Sequence, residues 1–142
     1  MYVNYIRAKS LCVFNNVTRK YDTDSDVLVE LQEYPGYLVT PLGEVFNKKT
    51  KRKLKQYDNY APHRTDTYKR VHLRINKNYV NVYVHRLVAL AFLEDTDLNP
   101  NGTPIVGRKE VDHKDSDRNN NNVDNLQWCD TNYNLKARWN RV

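Results

Sequence analysis

The sequence predicts an α+β fold in which a small antiparallel β-sheet module precedes a unit of strand, long loop, strand and helix. Residues 68–75 (YKRVHLRI) and 79–84 (YVNVYV) alternate polar and apolar types around an Asn-Lys-Asn turn, as a β-hairpin does. Residues 85–93 (HRLVALAFL) are too rich in Leu and Ala for an exposed strand and indicate a short buried helix. The last third of the chain places a polar loop between two short strands and ends in a helix.

The N-terminal part of the chain carries the weakest pattern. Residues 2–14 alternate roughly, which suits one or two strands, and residues 15–26 (NNVTRKYDTDSD) have the composition of a loop or linker. We therefore divide the chain into three parts. These are a β-rich N-terminal extension of unknown role at 1–29, an antiparallel β module at 30–83 and a helix-containing unit at 84–142.

The β module is predicted from its turns. A Pro-Gly turn at 35–36 and a second turn at 41–43 bracket strands at 37–40 and 44–47. A basic turn at 48–53 follows. The pattern is that of a small antiparallel meander.

The hairpin carries basic side chains on one face. Arg70, His72 and Arg74 alternate with apolar residues, so they point to the same side of the strand. With Tyr68 and Lys69 beside them, these side chains can meet phosphates on a sheet surface that faces solvent. The alternative is that these charges only solvate the outer face of a half-buried hairpin.

The charge balance favours a polyanionic partner. The 142 residues include 23 Lys and Arg against 17 Asp and Glu, a net charge of +6 with neutral His. Nucleic acid is then the default partner, and an ordinary basic surface is the alternative. Cys12 and Cys129 lie far apart, which argues against a zinc knuckle or a disulfide scaffold and fits a reducing cytoplasm. Since no apolar run suits a signal peptide or a membrane span, we expect a soluble cytoplasmic protein without a membrane partner.

Residues 111–139 (VDHKDSDRNNNNVDNLQWCDTNYNLKARW) are the most informative stretch. The polar run 114–122 loops out because it has no apolar face to bury. Residues 125–129 supply a second strand, and Asp130 or Thr131 caps the helix that follows. The predicted unit is strand, loop, strand, helix.

Within this unit, Asp112 and His113 stand where the chain leaves the first strand, and Asn134 lies in the first turns of the helix. Two strands packed on one helix place these positions close together. Phosphodiester hydrolysis needs a positioned water, a base and a cation. A carboxylate and a carboxamide oxygen suit Mg²⁺, and an imidazole suits a base near neutral pH. The alternative is that Asp112 and Asn134 only bond the backbone at a turn and a helix start, with His113 at the surface.

The stretch VDHKDSDRNNNNVDNLQWCDTNYN resembles the HNH motif of phage and intron-encoded homing endonucleases, in the subgroup whose third motif residue is Asn. The resemblance implies a ββα-metal fold, with Asp112 and Asn134 holding one Mg²⁺ or Mn²⁺, His113 as the base and Asn125 bracing the loop. It extends upstream, because residues 84–93 are similar to the helix that precedes the motif in this family. Residues 34–55 resemble the small β module that carries DNA contacts before many HNH units.

We therefore expect a metal-dependent endonuclease that nicks or cleaves double-stranded DNA, as a monomer or homodimer, in the host cytoplasm if a phage encodes it. His85, which opens the predicted helix, is expected to be structural, with a phosphate contact as the alternative. The residues expected to contact DNA are Arg70, Arg74, Arg86, Arg118 and Lys136. Two other functions stay open: a non-catalytic DNA-binding protein on an HNH scaffold, and an RNA-binding or ribonucleolytic module that stacks bases on some of the eleven tyrosines.

Overall fold

A computed structural model describes residues 11–15, 19–58 and 67–140 of the chain. In chain order, the elements are β1 (Leu11–Phe14), β2 (Val27–Glu30), β3 (Tyr37–Val39), β4 (Val45–Asn47), β5 (Tyr57–Asp58), β6 (Lys69–Ile75), β7 (Asn78–Tyr83), α1 (Val84–Phe92), β8 (Lys109–His113), β9 (Leu126–Asp130) and α2 (Thr131–Asn140). The predicted α+β class is confirmed.

The first sheet is antiparallel and has the order β1-β2-β3-β4. The strands expected at 37–40 and 44–47 are present as β3 and β4. A strand expected within 2–14 is present as β1, whereas residues 2–10 lie outside the described part of the chain. The three-part division of the chain stays a prediction, although β2 crosses the expected boundary at 29/30 and pairs with both of its neighbours.

The predicted hairpin is confirmed as β6 and β7, which β5 extends to a second antiparallel sheet. Asn76 and Lys77 form its turn, and both have positive φ angles, 51° and 70°. Such a pair matches the right-handed twist of the flanking strands. Val71 and Leu73 are fully buried beneath the sheet, so Arg70, His72 and Arg74, which alternate with them, lie on the opposite face.

Helix α1 is the expected short buried helix. Its apolar residues pack into one core that also receives side chains from the first sheet, the hairpin and the last two strands. Phe92 and Val88 are fully buried within it. Burial of this kind is the main source of stability in a small domain. Among the described residues, no helix has the length and apolar character needed to span a bilayer.

The last third forms the predicted unit of strand, loop, strand and helix. β8 pairs antiparallel with β9, with His113 opposite Leu126 at the loop end. Helix α2 begins after Asp130, whose Oδ1 accepts a hydrogen bond of 2.8 Å from the backbone N–H of Tyr133. This is the N-cap contact expected of Asp130 or Thr131, and Asp130 makes it. The other carboxylate oxygen of Asp130 accepts from Asn99 Nδ2 and from the N–H of Val106, which ties the 94–107 loop to the helix start.

Candidate active site

The loop between β8 and β9 is organised by Asn125. Its Oδ1 accepts from the N–H of Asp115 at 3.1 Å. Its Nδ2 donates to the Asp115 carboxylate and to the carbonyl of Asn120, both at 2.9 Å. The Asn125 carbonyl also accepts from the N–H of Lys114. One carboxamide thus connects both ends of the polar loop, which has no apolar face that could order it.

His113 lies at the loop end of β8 and is only 5% exposed. Its Nε2 lies 2.8 Å from Oδ1 of Asn121. The ring lies 5.1 Å from that of His85 and 5.8 Å from that of Tyr68, measured between centroids. Burial lowers the pKa of His113, and this outweighs the opposing effects of the Asn121 hydrogen bond and the nearby Asp112 charge. The imidazole is therefore neutral at neutral pH, as a general base must be.

Asp112 and Glu110 lie on the opposite face of β8, because side chains alternate along a strand. Asp112 is 2% exposed, and its Oδ2 accepts from Nε2 of Gln127, the residue across from it on β9. Glu110 accepts from the hydroxyl of Thr131 and from Nδ2 of Asn134, the latter at 3.0 Å. Burial would raise the pKa of Glu110, but these hydrogen bonds and nearby arginines lower it overall.

Helix α2 therefore brings Asn134 to the face of β8 that carries Asp112. The contact that anchors the Asn134 amide is with Glu110, two residues before Asp112, and not with the end of the strand. Since Nδ2 of Asn134 donates to Glu110, the carboxamide oxygen is the atom left to ligate a cation. In the described ranges, no three His, Cys, Asp or Glu residues form a metal cluster. The donors present, a buried carboxylate and a carboxamide oxygen, fit a hard cation such as Mg²⁺.

A pocket of about 280 Å³ opens beside Asn134 and Glu110. Its remaining walls are mainly aromatic and basic. They include Tyr68, Tyr83, His85, Arg86, Arg108 and Lys109. A concave site whose lining carries the three cations Arg86, Arg108 and Lys109 against the one carboxylate Glu110 suits an anionic ester, because the net positive charge attracts it.

His85 lies in the first turn of α1 and lines this pocket. Its ring stacks on Tyr83 with centroids 5.3 Å apart, and its Nδ1 is buried with no hydrogen-bond partner. Burial, with His113 and Arg86 nearby, lowers the pKa of His85 to about 3, so the ring is neutral. His85 thus packs on Tyr83 and lines the pocket, and its structural role and the alternative phosphate contact both stay predictions.

The basic residues expected to contact DNA lie in three places. Arg70 and Arg74 share the outer face of β6 with His72, and the Arg74 guanidinium lies 5.6 Å above the ring of Tyr79. Around the pocket, Arg86 lies 5.9 Å from the Trp128 ring and Arg118 lies 4.7 Å from the Tyr68 ring. The third place is the exposed side of α2, which carries Lys136.

The pocket residues Tyr83, Arg108 and Lys109 were not anticipated from the sequence, and neither were Glu110, Asn121 and the place of Tyr68 in the site. Glu110 had a usable signal, because it stands two residues before Asp112 on the same strand and so shares its face. Asn121 had none, since it is one of four consecutive asparagines. Tyr68 was expected only to accompany the basic hairpin face. It instead lies against His85 and His113, and its hydroxyl accepts from Arg138, 70 positions away.

Comparison with known proteins adds independent information. No protein-family model matches the chain. The chain is 34% identical over 110 residues to an uncharacterized HNH endonuclease, L247, of Acanthamoeba polyphaga mimivirus. This match covers 78% of this chain and 24% of the relative. It is 38% identical over 99 residues to the H-N-H endonuclease F-TflI of Escherichia phage T5, which covers 70% of this chain and 45% of the relative. The chain thus spans less than half the length of these two relatives.

Among solved structures, the fold is similar to that of the HNH homing endonuclease I-HmuI, in a structure that describes DNA binding and cleavage by that enzyme. The TM-score is 0.63 at 29% identity, and the match covers 79% of this chain and 57% of that one. The sequence relatives and the structural neighbour carry the same HNH endonuclease description. In sequence and in fold, the chain is therefore similar to HNH endonucleases, among them the homing endonuclease I-HmuI.

Proposed function

We propose that this protein is a metal-dependent endonuclease that hydrolyses phosphodiester bonds of double-stranded DNA. The observation that carries the proposal is the buried imidazole of His113, which follows Asp112 directly and contacts the rings of Tyr68 and His85, two residues that line the basic pocket. The relatives named as endonucleases and the DNA-cleaving structural neighbour support the same chemistry.

In the proposed reaction, His113 takes a proton from the attacking water. The water oxygen forms a bond to phosphorus while the bond from phosphorus to the leaving oxygen breaks, and solvent protonates the leaving oxygen. Asp112 and Asn134 would hold one Mg²⁺ or Mn²⁺, which when bound supplies positive charge to the phosphate and leaving oxygens. Glu110 keeps the Asn134 amide turned so that its oxygen is available. One such site per chain cuts one strand at a time.

DNA would bind along two adjoining basic surfaces. The pocket cations Arg86 and Arg108 would hold the phosphate next to the reacting centre. The outer face of β6 and β7, with Arg70 and Arg74, would follow the backbone further along the duplex. Tyr83 joins the two surfaces, because it ends β7 and also lines the pocket. Binding that depends on so many cations is expected to weaken steeply with added salt.

The test is nicking of supercoiled plasmid in Mg²⁺ or Mn²⁺ by wild type, His113→Ala, Asp112→Asn and Asn134→Ala. Loss of the general base is expected to lower kcat by about 10²- to 10⁴-fold. Asp97→Asn is the matched control, since Asp97 is exposed in the 94–107 loop and away from the pocket. Equal cleavage by wild type and His113→Ala would remove His113 from this role. Duplex binding without cleavage in either metal would instead support a non-catalytic DNA-binding protein.

A further inference from the structure

We propose that Asn121 is a positioning residue that fixes the tautomer of His113, and this inference rests on the function proposed above. Oδ1 of Asn121 accepts the proton on Nε2 of His113 over 2.8 Å. Nδ1 then carries the lone pair of the neutral ring and is the atom that takes the proton from water.

The contact is well placed to decide the tautomer. Both side chains are only 5% exposed, so water does not compete strongly for Nε2. The two tautomers of an exposed imidazole exchange freely, and a buried hydrogen bond at one nitrogen selects between them. A base whose lone pair faces the wrong way is inactive even when the ring occupies its correct position.

The carboxamide oxygen, and not its nitrogen, must face the ring for a chemical reason. After His113 takes a proton, both of its nitrogens carry hydrogen. Oδ1 of Asn121 accepts from Nε2 in the neutral ring and in the imidazolium alike, so this hydrogen bond persists through the reaction. An amide N–H in its place would repel the imidazolium. The oxygen orientation therefore serves both states of the base, and it stabilises the charged one.

The turn between β3 and β4, which belongs to the β module, packs against Asn121. A Cβ added at Gly43, in the turn between β3 and β4, would lie 3.1 Å from both the Cβ and the carbonyl oxygen of Asn121. In the same turn, the carbonyl of Pro41 accepts from the N–H of Val123 at 2.8 Å. The turn of the first sheet thus packs directly on the backbone that presents Asn121 to the base.

The neighbouring asparagines cannot substitute for it, because they have other partners. Asn120 donates from Nδ2 to the Asp115 carboxylate, and Asn122 accepts at Oδ1 from the N–H of Asp124. Asn119 is exposed, and its backbone N–H bonds to Asp117. Of this run of four, Asn121 is the one whose side chain contacts His113.

The experiment reads the tautomer directly. Wild type labelled with ¹⁵N-histidine is measured by NMR at about pH 8, where the free imidazole is neutral, and His113→Ala assigns the signals. We expect a protonated Nε2 and an unprotonated Nδ1 in wild type, and a mixture of tautomers in Asn121→Ala. Asn121→Asp keeps an oxygen acceptor and is expected to restore the wild-type tautomer. Asn119→Ala is the matched control and leaves the spectrum unchanged.

Kinetics provides the second readout. Asn121→Ala is expected to lower kcat about 10- to 100-fold while leaving DNA affinity, measured without divalent metal, unchanged. A protonated Nδ1 in wild type would overturn the proposal, as would an Asn121→Ala spectrum identical to that of wild type. Neither result bears on whether the protein cuts DNA. Failure of the proposed function would appear separately, as equal cleavage by wild type and His113→Ala.

Discussion

Two glycines allow the contact between the β module and the polar loop that joins β8 to β9 to be measured. Gly36 and Gly43 both have a φ of +91°, a conformation that side-chain-bearing residues adopt at a cost of about 1–2 kcal/mol. At Gly36 an added Cβ meets nothing within 4 Å, whereas at Gly43 it meets Asn121 at 3.1 Å. The substitutions Gly36→Ala and Gly43→Ala therefore share the backbone cost and differ in the contact.

The expected difference follows from this geometry. Gly36→Ala should reduce the free energy of unfolding by the backbone cost alone. Gly43→Ala adds the cost of overpacking, about 1–3 kcal/mol, because the atoms it meets include backbone that cannot rotate away. Urea denaturation followed by circular dichroism measures both values, provided that the m-values agree. Gly43→Ala should also displace Asn121 and so lower kcat, whereas Gly36→Ala should not.

The comparison has a clear refuting result. If the two variants lose the same free energy of unfolding, the turn does not pack tightly on Asn121 in solution. If Gly43→Ala is destabilised but keeps full kcat, the turn supports the fold without positioning the base. Either outcome would break the link between the first sheet and His113.

Three further predictions concern stability. The pKa of His85 is lowered from 6.5 to about 3, so below pH 6.5 the unfolded chain binds a proton that the folded chain does not. The stabilisation that this neutral ring contributes is fully present above pH 6.5, and the free energy of unfolding falls by about 2 kcal/mol by about pH 5. In His85→Phe, the free energy of unfolding from urea denaturation should fall less between a pH above 6.5 and about pH 5 than it does in wild type. An equal fall in the two proteins would contradict this. Phe92→Ala, at a fully buried position, should cost about 3–5 kcal/mol in the same assay, and a loss below about 1 kcal/mol would show that the site collapses. Asp130→Ala removes the N-cap of α2 and should speed amide hydrogen exchange at Tyr133. Unchanged exchange at Tyr133 would disprove this prediction.

Local patterns in the chain were sufficient to predict the elements that carry the site. The hairpin follows from alternation around Asn76 and Lys77, since a period of two and a tight turn are properties of neighbouring residues. Helix α1 follows in the same way from a segment too apolar and too rich in Leu and Ala for an exposed strand. Residue chemistry suggested the metal and base roles of Asp112, His113 and Asn134, and the resemblance of residues 111–134 to the HNH motif supported these roles and added that of Asn125.

The tertiary structure alone decided which residues support those roles. Four consecutive asparagines are chemically identical, and Asn121 is distinguished as the partner of His113 by the loop fold, in which the Gly43 turn packs on Asn121 while Asn120 and Asn122 have other hydrogen-bond partners. The contact of Asn134 with Glu110 depends on where helix α2 crosses strand β8. The physical reason is the same in both cases. Periodicity and turn chemistry act between residues near in sequence, whereas a side-chain hydrogen bond depends on which distant segments the core brings within about 3 Å.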